Sequence, residues 1–183
     1  MKVDTRPSQW VGVALIVGWM ALLGVVVPRV GAAIPREAEV AAGTAIAAGG
    51  IAITPAAGWG LPKDAPEGIL ILRKGGAQIT GLPPQPATTD DPTVPLKAAT
   101  DALAIDPSTS WKIGDPTSFE TTSGAKGAYA VALAPTQFIT NLVIVKDGQS
   151  VQIVVSGTDT DWTTLHDEIV EMAKTIEIKE GGA

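Results

Sequence analysis

The spacing of apolar residues takes three forms along this chain, beginning with an unbroken block. Trp10 to Val27, WVGVALIVGWMALLGVVV, holds 18 residues without a charge, Asn, Gln or Pro, and Pro28-Arg29 closes it. As a helix the block would rise about 27 Å, close to the ~30 Å hydrocarbon thickness of a bilayer. A buried soluble helix of that length carries a polar stripe, and this one has none. Trp10 stands at one end, where an amphipathic ring favours the headgroup region. The block is therefore expected to be a transmembrane anchor over residues 10–28, preceded by a short tail, 1–9, and followed by a juxtamembrane spacer, 29–42.

A period of two then takes over. Thr44-Ala-Ile46 and Ile51-Ala-Ile53 alternate around Gly49-Gly50, the pattern of a hairpin. Thr54-Pro-Ala-Ala-Gly-Trp59 is a turn that delivers a tryptophan. Ile69–Leu72 and Ala77–Thr80 flank Arg73-Lys-Gly-Gly76, a second hairpin signal. Gly81 to Pro95 holds five prolines and reads as an irregular loop. Further on, Tyr129, Val131 and Leu133 alternate with alanines. Phe138–Val145 and Val151–Val155 flank Lys146-Asp147-Gly148, whose Asp-Gly is the strongest short hairpin signal here.

Two stretches show the helical period instead. Thr93 is placed to cap a helix with Pro95 in its first turn, and Leu96, Ala99, Leu103 and Ile105 then share a face until Asp106-Pro107. Trp162, Leu165, Ile169, Met172 and Ile176 share a face near the end, with Asp159, Thr160 or Asp161 as cap and Thr175–Ile178 as a closing strand. Strands in runs with two separate helices predict an α+β domain over residues 43–180, an antiparallel β-sheet with two flanking helices behind an N-terminal transmembrane helix.

Charge divides at the same boundary. Residues 1–36 carry four basic side chains against Asp4, whereas residues 37–183 carry nine basic against eighteen acidic, a net −9. Such a domain repels phosphate backbones, so no nucleic-acid partner is expected. Lys2 and Arg6 before the span and Arg29 and Arg36 after it leave the positive-inside balance near even. The short N-terminus tips it toward a cytoplasmic N-terminus with the domain extracytoplasmic. Val30-Gly31-Ala32-Ala33 keeps a cleaved secretory signal open as an alternative, although the apolar block exceeds the roughly 7–15 residues of a signal core. Ala14-x-x-x-Gly18 has the small-xxx-small spacing of packed spans, which composition alone also explains.

The chain has no cysteine, which excludes disulfides, thiolate metal sites and acylation through a thiol. His166, the one histidine, sits at the edge of the last helix's apolar face, and no serine is framed by nucleophile-elbow glycines. Asp159-Thr-Asp161 offers hard oxygens, yet helix capping uses the same residues. Asp90-Asp91 reads as solvated turn chemistry, and Arg73-Lys-Gly-Gly76 lacks the strand–helix flanks of a phosphate loop. No metal, cofactor or catalytic residue is assigned. Trp59 and Trp111 are the candidate ligand-binding residues, each open to the alternative of sealing the core.

The Ile-Thr-Pro-Ala-Ala-Gly-Trp59 opening, the Lys-Asp-Gly hairpin and the final Leu-His-Asp-Glu-Ile-Val-Glu-Met-Ala-Lys-Thr-Ile helix-to-strand close resemble the PsbP-like fold, which includes mycobacterial LpqN-type lipoproteins and other exported actinobacterial domains. The resemblance spans residues 43–179 and implies an antiparallel sheet flanked by helices, used as a binding or adaptor module without a shared catalytic set. LpqN-type proteins are lipid-anchored through a cysteine that is missing here, so a membrane span over Trp10 to Val27 would replace that anchor. The expected function is a single-pass, membrane-anchored, non-catalytic binding or adaptor domain of the cell envelope, meeting an envelope protein or an apolar ligand. A membrane-tethered hydrolase using His166 and a structural subunit of a larger membrane complex are the alternatives.

Overall fold

The structure, a computed structural model, describes residues 38–63, 65–104 and 110–179. The expected anchor, 10–28, and the tail before it lie outside the described residues. Among the described residues no helix is long and apolar enough to cross a membrane.

Alternating apolar runs and tight turns build the antiparallel ladder that their period demands. The strands are β1 (Ala38–Glu39), β2 (Ile46–Ala48), β3 (Ile51–Ile53), β4 (Gly60–Leu61), β5 (Leu70–Lys74), β6 (Ala77–Gly81), β7 (Gln85–Pro86), β8 (Lys112–Ile113), β9 (Thr117–Glu120), β10 (Lys126–Ala134), β11 (Gln137–Lys146), β12 (Gln149–Gly157) and β13 (Glu177–Ile178). Helix α1 is Thr93–Ala104 and α2 is Asp159–Lys174. Ten strands form one sheet in the order β1-β4-β5-β6-β12-β11-β10-β8, with β7 on β12 and β9 on β10. A second sheet runs β13-β3-β2. Every pairing is antiparallel, as the α+β reading requires.

Turn chemistry sets the register. Asp147 and Gly148 take φ of 49° and 74°, and Gly49 and Gly50 take 57° and 79°. Two consecutive positive φ angles match the twist of the strands they join, so Lys146 faces Gln149 and Ala48 faces Ile51 across two-residue turns.

The two helices lie on opposite faces of the large sheet. Alternation along β11 sends Phe138, Leu142 and Ile144 to the main core, where Leu165, Ile169, Met172 and Ala173 of α2 meet them. Val143 and Val145 point the other way, to a smaller cluster with Leu96 of α1, Ala128 and Ala130. Along β10 it is therefore the alanines that α1 covers, while Leu133 is 37% exposed.

Four local expectations change. Asp91, not Thr93, caps α1: its Oδ1 accepts from the Thr93 backbone N at 2.9 Å and from the Thr93 hydroxyl at 2.7 Å. Thr158, one residue before the expected candidates, caps α2 in a reciprocal box with Asp161. Within the proline-rich loop, Gln85 and Pro86 pair with Ser150 and Gln149, because extended proline is tolerated where no N–H is needed. Ala38 and Glu39, inside the expected spacer, pair with Leu61 and Gly60 as an added strand.

Candidate functional site

Of the two tryptophans read as candidate ligand contacts, Trp59 is wholly buried at 0% exposure. Gly58, at φ 82°, turns the chain so that the indole enters the main core. Its Nε1 donates to Glu168 Oε1 at 2.5 Å. Lys74 Nζ donates to both oxygens of the same carboxylate, at 2.8 and 2.9 Å, and to the Ala57 carbonyl at 2.7 Å. The three ammonium protons are thereby used, and the indole N–H has the partner a buried tryptophan needs. This cluster clamps α2 to the β5–β6 hairpin and presents no open face of the ring. Trp111 is half-buried and directly precedes β8. Trp59 directly precedes β4, toward the other end of the strand order, so the structure does not bring the two together.

His166 stacks edge-on against Trp162 at 4.5 Å, and Trp162, half-buried, tilts against Phe138 at 5.1 Å. Its Nδ1 lies 2.9 Å from Asp167 Oδ1. Asp161 is occupied by its cap, accepting from the Thr158 backbone and hydroxyl. Among the described residues no group of three His, Cys, Asp or Glu is placed to hold a metal ion.

Among the described residues a concave region lies elsewhere, where the approach to α1 passes the edge strand β9. A cleft of about 530 Å³ is lined by Thr89, Asp90, Asp91 and Pro92 on one wall and by Ser118, Phe119, Lys126 and Gly127 on the other. That volume falls in the range of small-ligand and side-chain pockets. A smaller hollow of about 190 Å³ adjoins it, sharing Asp90 and Lys126 and adding Gly124, Val145, Lys146 and Asp147.

Local sequence explains the walls. Gly127 pairs with Phe119 across the ladder, and a Cβ there would collide with the Phe119 ring. The ring lies over the bare glycine and against Tyr129, 6.2 Å away, filling the gap the missing side chain leaves. On the opposite wall, the Thr93 backbone N–H and then its hydroxyl hold the Asp91 carboxyl below the ordinary aspartate range, with Lys126 adding a smaller attraction. Lys146 Nζ donates to the Ser123 carbonyl at 3.0 Å. Neither Asp90 nor Lys126 forms an ion pair with another described residue. The arrangement offers one uncommitted carboxylate, one uncommitted ammonium group and a serine hydroxyl around an open space. Sequence reasoning treated Asp90-Asp91 as turn residues and did not select Lys126, Ser118 or Phe119. A lone glycine within an alternating strand was the one available sign, since it marks close approach by a neighbour.

No family model matches the chain, and no curated protein matches it. Among solved structures, the chain is similar to the Ran-binding protein Mog1p of Saccharomyces cerevisiae, with TM-score 0.50 and 10% identity over 78% of this chain and 96% of that one. It also aligns with the cyanobacterial PsbP (CyanoP) of Synechocystis sp. PCC 6803 at TM-score 0.47 and 14% identity, covering 76% and 97% of the two chains. LpqN of Mycobacterium tuberculosis, involved in cell envelope biogenesis, aligns at TM-score 0.47 and 15% identity, covering 79% and 91%. The likeness to Mog1p, at that identity, is one of fold.

Proposed function

We propose that this chain is a recognition domain of the cell envelope, held at the membrane by its Trp10–Val27 segment, with the acidic head extracytoplasmic and non-catalytic. The observation that carries the recognition half is the open cleft at the sheet edge, where a carboxylate, an ammonium group and a serine hydroxyl are exposed to meet a partner. Ser118, its hydroxyl, pairs with Ala128 on the α1 face of the sheet. His166 belongs to α2, which packs on the opposite face. A serine and a base on opposite faces of one sheet do not form a nucleophile–base pair. Mog1p, the neighbour with the higher TM-score, is itself described as a Ran-binding protein, which is compatible with a protein-contacting use of the fold. The membrane half rests on the uncharged apolar block and on the charge contrast between the chain's two parts.

The test places a photo-crosslinking residue at Glu120, beside the cleft, or at Thr163, on the exposed surface of α2, in the full-length chain in native membranes. A discrete adduct from Glu120 and none from Thr163 is expected. Turnover of ester or phosphate substrates by the purified full-length chain, lost in His166→Ala, would overturn the non-catalytic reading.

A further inference from the structure

Strands β8 and β9 follow one another along the same side of β10 and form the edge of the large sheet. Gly114 N donates to Val131 O at 2.8 Å, and Thr117 is paired with Tyr129. Asp115 and Pro116 therefore stand opposite Ala130 alone, which is a bulge. Bulge and proline blunt the β8 half of this edge, as edges generally are blunted. They leave Thr117–Glu120 as a regular, largely exposed strand.

The ladder's alternation tells which backbone groups of that strand are free. Thr121 N donates to Ala125 O at 2.9 Å, so the pair 121–125 is a bonded one. Bonded and non-bonded pairs alternate in an antiparallel ladder. Thr117 and Phe119 consequently turn their N–H and C=O toward β10, while Ser118 and Glu120 turn theirs outward. Among the described residues no backbone hydrogen bond reaches those outward groups. Only another extended chain matches such a row of donors and acceptors.

Ser118 and Glu120 pair with Ala128 and Lys126 and so share the α1 face, where Ser118 and Lys126 line the cleft. A strand added outside β9 would direct every second side chain toward that cleft and its Thr89–Pro92 wall. Charge selects the kind of side chain. Asp90, Asp91 and Asp147 line the site and Glu120 pairs beside it, against Lys126 and Lys146, so four acidic groups face two basic ones. We infer that β9 takes up an extended segment of a partner protein by strand addition, with a basic side chain of that segment directed at Asp90. This rests on the recognition reading above and gives it a partner chemistry.

The test uses the full-length chain in detergent and a fluorescent ten-residue peptide of alternating Thr and Val with two lysines on one face. Two control peptides carry glutamates in place of the lysines, or N-methyl groups on the ladder-facing amides. The lysine peptide should bind, and each control should bind about tenfold or more weakly, since each loses hydrogen bonds or an opposite charge. Asp90→Asn should weaken the lysine peptide about threefold to tenfold and leave the glutamate peptide no weaker. Hydrogen exchange on the unmodified protein gives an independent readout, with the Ser118 and Glu120 amides slowed at peptide saturation. Equal binding of the N-methylated peptide, or no slowing at those amides, would overturn strand addition. A doubled mass with no peptide uptake would also overturn it, assigning the edge to a second copy of the chain. Any of these results leaves the recognition reading standing, because that reading falls instead on a Glu120 crosslinker that yields no discrete adduct.

Discussion

The two faces of the large sheet are built from the same strands and are not equivalent. On the α2 face Trp59, Phe138, Leu70, Leu72, Ile144 and Ile153 are essentially inaccessible to solvent, and its buried indole N–H has a carboxylate partner. The Thr140 hydroxyl has no hydrogen-bond partner there among the described residues. On the α1 face Leu96 covers alanines and valines, and Asn141, 1% exposed, has neither its amide N–H nor its side-chain carbonyl bonded among the described residues. Gln78 and Thr80, on the same face, are bonded to each other at 3.0 Å. One face holds large, interlocked side chains and the other holds small ones with polar groups among them. The contrast predicts separate duties: the α2 face should carry most of the stability, whereas the α1 face borders the cleft and the open edge.

Truncating the largest residue on each face tests this division. Trp59→Ala should lose about 3–5 kcal/mol, from lost burial and from leaving Glu168 without its indole donor. Leu96→Ala should lose only about 2 kcal/mol, the low end for a buried leucine, because its neighbours are small. Urea unfolding of the full-length chain in detergent, followed by far-ultraviolet circular dichroism, compares the two. Equal losses would remove the asymmetry.

Asn141→Leu sharpens the comparison in the opposite direction. The two side chains share a branched four-atom skeleton, and leucine removes two buried polar groups that have no partner among the described residues, so a gain of about 1 kcal/mol is expected in the same unfolding measurement. A clear loss would mean that the amide has a role in the face.

The smallest effect concerns the cleft wall. Asp91's carboxyl is held below the usual 3.8 by the Thr93 backbone N–H and hydroxyl. A folded-state value below the unfolded one stabilises the protein above the unfolded value, and the contribution is lost as pH falls through the lowered folded value. Wild type and Asp91→Asn should therefore differ near neutral pH and converge in acid below about 3.8, as read by unfolding at a series of pH values. A difference that persists unchanged in acid would remove the charge on Asp91 as its cause.

The ladder was legible at two turns with paired positive φ, Gly49-Gly50 and Asp147-Gly148, but not at the β9–β10 turn, where Gly124 takes φ of 77°. The α2 face of the last helix was legible too, since Leu165, Ile169 and Met172 keep a strict helical step. Burial along β10 was not, because a strand packed on both faces alternates between two apolar sets, and only the arrival of α1 over the alanines decides between them. Caps slipped by one or two residues because Thr93 and Asp91, or Thr158 and Asp159, have similar side-chain chemistry, and backbone geometry alone distinguishes them. Trp59 looked like a turn residue because the clamp that buries it is 15 residues away at Lys74 and 109 away at Glu168. The edge site was hidden for a similar reason. Its two walls are joined only by tertiary packing.

A membrane-held head that faces outward is open to protease added to intact cells. With a C-terminal epitope on the full-length chain, the epitope should pellet with membranes, resist carbonate extraction and be removed by protease added outside unbroken cells. An epitope that stays protected until the cells are opened, or that is recovered in the soluble fraction attached to an untrimmed N-terminus, would contradict it.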